Sequence, residues 1–213
     1  MPRGVRPADA AVTWIARDAV DGRVTIRRTV GQVFTFYRDL RNLPRFLGDV
    51  MAVEPIDPAT YRWTVQGPLS IRVNWTIRIT EERPNELIRY ETVASPALKT
   101  HWDIHFAPGS IAGETDVREV MRIPLGRLGR PALAVMGKFP AEEIASNLHR
   151  LKELMETGKV TDTSFAVTGK FAQRDMRPVV LLERAYADPA NDESRRALGV
   201  DSTLSLDMPS VRF

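Results

Sequence analysis

Glu119 is the residue whose type and position most directly suggest chemistry. It lies in Thr115-Asp-Val-Arg-Glu-Val-Met-Arg-Ile123, where strand alternation puts Val117, Glu119, Met121 and Ile123 on one side. A carboxylate among apolar walls is desolvated, which raises its pKa toward values useful for moving protons. The same residue can instead be turned away by a register bulge, or sit in a salt bridge to Arg118, Arg122 or an arginine on a neighbouring strand. His101, Asp103 and His105 share one strand face at two-residue spacing. Such a set can ligate zinc, but on the polar face of a strand it more simply meets water, so no metal site is expected. Tyr37, Tyr61, Tyr90 and Thr100 offer hydroxyls that can orient a carbonyl or phenol, or merely pack as aromatic and β-branched residues. Arg38, Arg41 and Arg45 cluster in one short stretch, as a lure for an anion or as a solvated face.

Positioning these residues requires an ordered frame, and the periodicities describe one. Val24 and Ile26 alternate with polar neighbours as a first strand. Val30, Val33, Phe34 and Tyr37 recur at helical spacing behind Thr29 as cap. Asn42-Leu-Pro-Arg-Phe-Leu-Gly48 reads as a second short helix, with Asn42 as cap and Pro44 in its first turn. Six further strands are expected over 50–56, 61–65, 71–79, 87–93, 98–106 and 115–123, divided by Pro, Gly and Asn turn signals. In the 71–79 strand every odd position is apolar (Ile71, Val73, Trp75, Ile77, Ile79) and every even one polar. One buried and one wet face, with short connections, describe an antiparallel sheet.

After Pro124-Leu-Gly-Arg-Leu-Gly129 the period returns to 3.6. A helix is expected from near Pro131 to Thr157, with a kink or break at Pro140 and Gly158 as its stop. Ile144, Leu148, Leu151 and Met155 form its apolar stripe, while Glu142, Glu143, Arg150, Lys152 and Glu153 fall mostly elsewhere. The expected division is an N-terminal arm over 1–20, a folded domain over 21–158, and a tail over 159–213 that is weakly ordered or docks on the body or a partner.

A strongly twisted sheet of about seven strands gripping one amphipathic helix does not meet it evenly. The inward residues are bulky: Tyr61, Trp63, Trp75, Trp102, Phe106 and Met121, facing Met136 and Phe139. They suit an apolar pocket for a small molecule, or alternatively a solid core.

Composition closes off other chemistry. There is no cysteine, hence no disulfide, thiol nucleophile or thiolate metal site, and only three histidines are present. Thirty Lys and Arg against 27 Asp and Glu leave a formal charge of +3, with no dense basic block for nucleic acid. Neither a P-loop nor a dinucleotide fingerprint occurs, and Gly-x-Ser-x-Gly is absent. No stretch is apolar enough to span a membrane, and no signal peptide follows the basic start. The expectation is a cytoplasmic protein without a cofactor, able to form a homodimer.

The stretch Val33-Phe-Thr-Phe-Tyr-Arg-Asp-Leu-Arg-Asn-Leu-Pro-Arg-Phe-Leu-Gly-Asp-Val-Met-Ala-Val53 resembles the start of polyketide cyclase/dehydrase-like proteins of the START (SRPBCC) superfamily. Arg118 to Gly129 and Leu148 to Gly158 resemble that family's last strand and loop and its C-terminal helix, and the likeness covers roughly residues 20 to 160. It implies a helix-grip α+β fold, with a curved seven-stranded antiparallel sheet around a long C-terminal helix and two short helices after the first strand. It further implies a hydrophobic cavity of the kind used by lipid and quinone carriers and by aromatase/cyclases. The function expected is binding of a hydrophobic or aromatic molecule for transport or sensing. The alternative is a cyclase, aromatase or dehydratase acting in the same cavity, with Glu119 as its acid/base.

Overall fold

The computed structural model describes residues 10–16, 18–67, 70–93, 99–123 and 139–171. Each stretch of period-two alternation becomes a strand. In chain order the elements are β1 (Ala10–Ala16), β2 (Ala19–Ile26), α1 (Val30–Arg38), a 3-10 helix (Leu40–Arg45), β3 (Val50–Pro55), β4 (Thr60–Gln66), β5 (Arg72–Arg83), β6 (Leu87–Val93), β7 (His101–Pro108), β8 (Thr115–Arg122) and α2 (Pro140–Thr157). The strands form one antiparallel sheet in the order β1-β2-β8-β7-β6-β5-β4-β3. The late strand β8 thus lies against the early strand β2, with Ala19 opposite Arg122 and Ile26 opposite Thr115.

The sheet has eight strands rather than the seven expected. The additional one is β1, in the stretch read as an arm, which pairs with β2 from Ala10 opposite Val24 to Ala16 opposite Ala19. Its alternation is real, since Ala10, Val12 and Trp14 are half-buried while Ala11, Thr13 and Ile15 are exposed. Alanine on both faces and isoleucine on the wet one hide that pattern in the sequence.

Thr29 caps α1 through a capping box: Gln32 donates its backbone N–H to Thr29 Oγ1 (3.4 Å), and Thr29 donates its own to Gln32 Oε1 (3.1 Å). The next short helix is a 3-10 turn starting earlier than expected. Its cap is Asp39, whose Oδ1 accepts the Arg41 N–H, whereas Asn42 donates its side chain to the Phe36 carbonyl. Together these helices bury Phe34, Tyr37, Leu40, Leu43 and Phe46 over one end of the sheet. There Phe34 and Tyr37 meet Phe106 edge-on at 5.4 and 5.8 Å.

Pro140, the expected site of a kink or break, is the first helical residue of α2, a position at which a missing N–H costs nothing. The proposed earlier stretch of that helix falls in 124–138, outside the described residues. Ile144, Leu148, Leu151 and Met155 are all buried, and Gly158 ends the helix at φ 76°, a left-handed conformation suited to glycine. The helix packs on β2 and β1. Gly22 allows this approach: a Cβ there would lie 2.6 Å from Ile144 Cγ2 and 2.8 Å from Leu148 Cδ1. Because α2 sits over that side of the sheet, the same face further along, toward β4, is less fully covered. The expected apolar face of residues 71–79 is accordingly buried at Ile77, half-buried at Trp75 and open at Ile71 and Val73.

Arg150, expected on the polar side of α2, is fully buried. It donates to the Phe46 carbonyl (2.7 Å), the Ser164 carbonyl (2.7 Å) and Asn147 Oδ1 (2.5 Å), and Asp162 lies at 3.6 Å. Burial lowers its pKa to about 10. It thereby ties the helix to the 3-10 turn and to the chain after Gly158. The first part of the expected tail, residues 159–171, docks on the body: Val167 donates to the Gly48 carbonyl (3.1 Å), and Lys170 Nζ donates to the carbonyls of Leu47 and Val50. Residues 172–213, with the apolar run at 177–183, lie outside the described residues.

Candidate functional site

The inner face of β8 presents Glu119 and Met121. In the ladder Glu119 stands opposite Ile104 of β7 on one side and Gly22 of β2 on the other, while Met121 stands opposite Trp102. Trp102 in turn faces Tyr90 of β6, and on β4 and β5 Trp63 faces Trp75. Strand pairing therefore sets these side chains side by side on one face of the sheet. The Tyr90 and Trp102 rings stack at 5.2 Å, and Trp63 lies 5.7 Å from Tyr90 and 6.2 Å from Trp102.

Between this aromatic floor and the N-terminal half of α2 lies a cavity of about 320 Å³. Of the residues expected at a binding site, Trp63, Trp75, Tyr90, Thr100, Trp102, Glu119 and Met121 line it. Four others do not. Tyr37 is buried under α1, where its hydroxyl bonds that of Tyr90 at 3.1 Å, so it supports the wall from behind. Phe106 packs against Phe34 and Tyr37 at the closed end of the sheet. Tyr61 is buried and accepts from Arg38 Nη1 at 3.3 Å. Phe139, just before α2, is 41% exposed and lies edge-on to Phe165. Met136 lies outside the described residues.

The wall also holds residues that periodicity did not single out as ligand contacts. Val65, Val73 and Ile123 extend the strands already involved, and Ile144 comes from the apolar stripe of α2. Leu47, Asp49 and Val50 arrive from the turn ahead of β3, and Glu143 and Asn147 from α2. Alternation and helical spacing held the signal for the first group. Asp49 and Asn147 carry no such signal, since only the fold brings them there.

Glu119 is 4% exposed, and among the described residues no cation or hydrogen-bond donor meets its carboxylate. The expected alternative partners are engaged elsewhere: Arg118 binds Asp21, and Arg122 binds Asp103, on the outer face of the sheet. Desolvation therefore acts on Glu119 unopposed and raises its pKa from 4.5 to about 7. Tyr37 and Tyr90 titrate well above the usual phenol range, first because they are buried and further because Glu119 is near. Near neutrality the carboxyl can thus hold or release a proton inside an apolar chamber, while the phenols stay protonated.

His101, Asp103 and His105 lie on the outer face. Asp103 is buried beneath Arg89 (2.6 Å) and Arg122 (2.7 Å), and His101 Nδ1 lies 3.1 Å from Glu91. Among the described residues no group of three His, Cys, Asp or Glu is placed to hold a metal ion. The arginine cluster is likewise taken up locally: Arg38 pairs with Glu82, Arg41 with Asp39 (2.8 Å), and Arg45 lies over the Phe36 ring. None of the three lines the cavity.

A single antiparallel sheet, an amphipathic helix packed on it and a ring-lined hollow between them describe an α+β fold of the helix-grip kind. The profile of the family described as polyketide cyclase / dehydrase and lipid transport matches residues 17–156, and the chain belongs to that family. Solved structures share the architecture. A protein from Deinococcus radiodurans is 25% identical, with a TM-score of 0.52 over 66% of this chain and 98% of that one. A protein from Arthrobacter aurescens is 12% identical, with a TM-score of 0.56 over 68% and 90%. A START superfamily protein from Mycobacterium smegmatis is 12% identical, with a TM-score of 0.53 over 64% and 99%. No curated protein matches the chain. Among the described residues no helix is long and apolar enough to cross a membrane.

Proposed function

We propose that the chain binds a small hydrophobic or aromatic molecule in the cavity between α2 and the sheet, and that it carries or senses this molecule. The observation that carries the reading is the hollow itself: about 320 Å³ walled by Trp63, Trp75, Tyr90 and Trp102. Aromatic walls of this kind remove a guest's apolar surface from water at about 25 cal/mol per Å². The family description, which includes lipid transport, supports the same reading. Native mass spectrometry of freshly purified protein tests it. A co-purified small molecule that leaves on denaturation is expected; a bare chain that also takes up no added apolar compound overturns the reading.

One observation favours a second reading. A carboxyl with a pKa of about 7 in an apolar chamber suits general acid/base work on a chain of ketones, as in an aldol cyclisation or dehydration. On this reading Glu119→Gln abolishes turnover of such a substrate while leaving its binding intact. On the carrier reading there is no turnover to lose.

A further inference from the structure

We propose that the cavity's occupant is a small apolar molecule bearing a protonated amine, its charge held by the Glu119 carboxylate among the aromatic ring faces. This names the ligand class for the cavity reading above and rests on it. The charged side chains among the described lining residues are all acids, namely Asp49, Glu119 and Glu143, with no lysine, arginine or histidine. Asp49 feels the charge of Lys170, and Glu143 accepts the Phe139 N–H at 3.3 Å. Glu119 has no counterpart of either kind among the described residues, yet it is the most enclosed of the three. An ionised carboxylate at that depth needs a cation, and the described lining residues supply none there.

The rings point to the same charge. Trp102 stands diagonally across the ladder from Glu119, stacked on Tyr90, with Trp63 against both. Aromatic faces are negative at their centres and attract an ammonium group, most strongly when water is excluded. An anionic guest would meet both the carboxylate and these faces.

Three probes that differ in charge and share a phenyl body separate the possibilities: 2-phenylethylammonium, 2-phenylethanol and 3-phenylpropionate. Their affinities are measured by calorimetry, with tryptophan fluorescence as a second readout. At pH 8 the ammonium is expected to bind at least tenfold more tightly than the alcohol, and the propionate most weakly. As pH falls below about 7 the ammonium's affinity drops, approaching tenfold per pH unit, because Glu119 must first lose its proton. The alcohol's affinity stays flat.

The other titratable groups lining this space are Tyr90 on β6, Asp49 ahead of β3 and Glu143 on α2, and Tyr37 on α1 lies behind the wall close enough to feel Glu119. Lys170, near Asp49, also titrates near 7. In Glu119→Gln the preference for the ammonium over the alcohol and its pH dependence are both lost, with cooperative urea unfolding as the sign that the fold is intact. A pH dependence that survives in Glu119→Gln assigns the effect to another group and overturns the proposal. Equal or tighter binding of the alcohol or the propionate at pH 8 overturns the amine class and leaves the cavity reading standing. If none of the three binds, both fall.

Discussion

Glu119→Gln also has a consequence for stability that needs no ligand. In the unfolded chain the carboxyl titrates near 4.5, and in the folded protein burial moves this to about 7. Below pH 4.5 the group is neutral in both states and folding carries no charge penalty. Between 4.5 and 7 the unfolded chain gives up the proton while the folded chain keeps it, so stability falls as pH rises. Above 7 both forms are ionised and the full penalty is present, about 3 kcal/mol for a displacement of this size at 1.36 kcal/mol per pH unit. Glutamine has nearly the same shape and no charge to lose. The variant should therefore gain on the wild type by about 3 kcal/mol between pH 4.5 and pH 8, roughly 6–12 °C in Tm for a domain of this size. Urea titrations of both proteins at several pH values measure the gap. A gap that stays constant, or that closes as pH rises, would refute the idea that Glu119 is desolvated without a counter-ion.

Three further substitutions test how the frame is held. Gly22→Ala should cost roughly 1–3 kcal/mol in urea unfolding, since its methyl would press on Ile144 and Leu148 and lift α2 from the sheet. Arg150→Met removes three hydrogen bonds and strands the carbonyls of Phe46 and Ser164; a loss of about 3 kcal/mol or more is expected in the same assay. Gly48→Ala should release the segment after Gly158, because a Cβ would stand 2.6 Å from the Phe165 carbonyl oxygen, which is backbone and cannot swing aside. Faster cleavage within 159–171 under limited proteolysis is the expected result, and an unchanged cleavage pattern would count against that docking.

The sheet was legible because alternation depends on nothing beyond the strand itself. Val117, Glu119, Met121 and Ile123 share a face in the sequence and share it in the fold, and the same holds for Trp102, Ile104 and Phe106. Alternation names the face but not the position along it. Phe106 and Trp102 are equivalent by pattern, yet one is sealed beneath α1 and the other borders the cavity. Tyr61 and Trp63 divide in the same way.

What escaped reading is long-range. Arg150 lies at a helical position that looks solvated until the Phe46 and Ser164 carbonyls converge on it. Gly22 stands out in no pattern of the sequence, yet its missing side chain is what admits α2. The first strand was obscured by alanine, which is equally at home on either face. Asn42 has the right chemistry for a cap, but Asp39 begins the turn three residues earlier and takes that place.

The cavity's role is tested most directly by NMR of the protein with a bound apolar guest, taken from the co-purified fraction or added as 2-phenylethanol. Intermolecular contacts are expected to the rings of Trp63, Tyr90 and Trp102 and to the Met121 methyl, with the outer-face residues His101 and His105 unaffected. A guest that contacts only the outer face, or leaves the Trp102 and Met121 signals unmoved at saturation, would contradict the internal site.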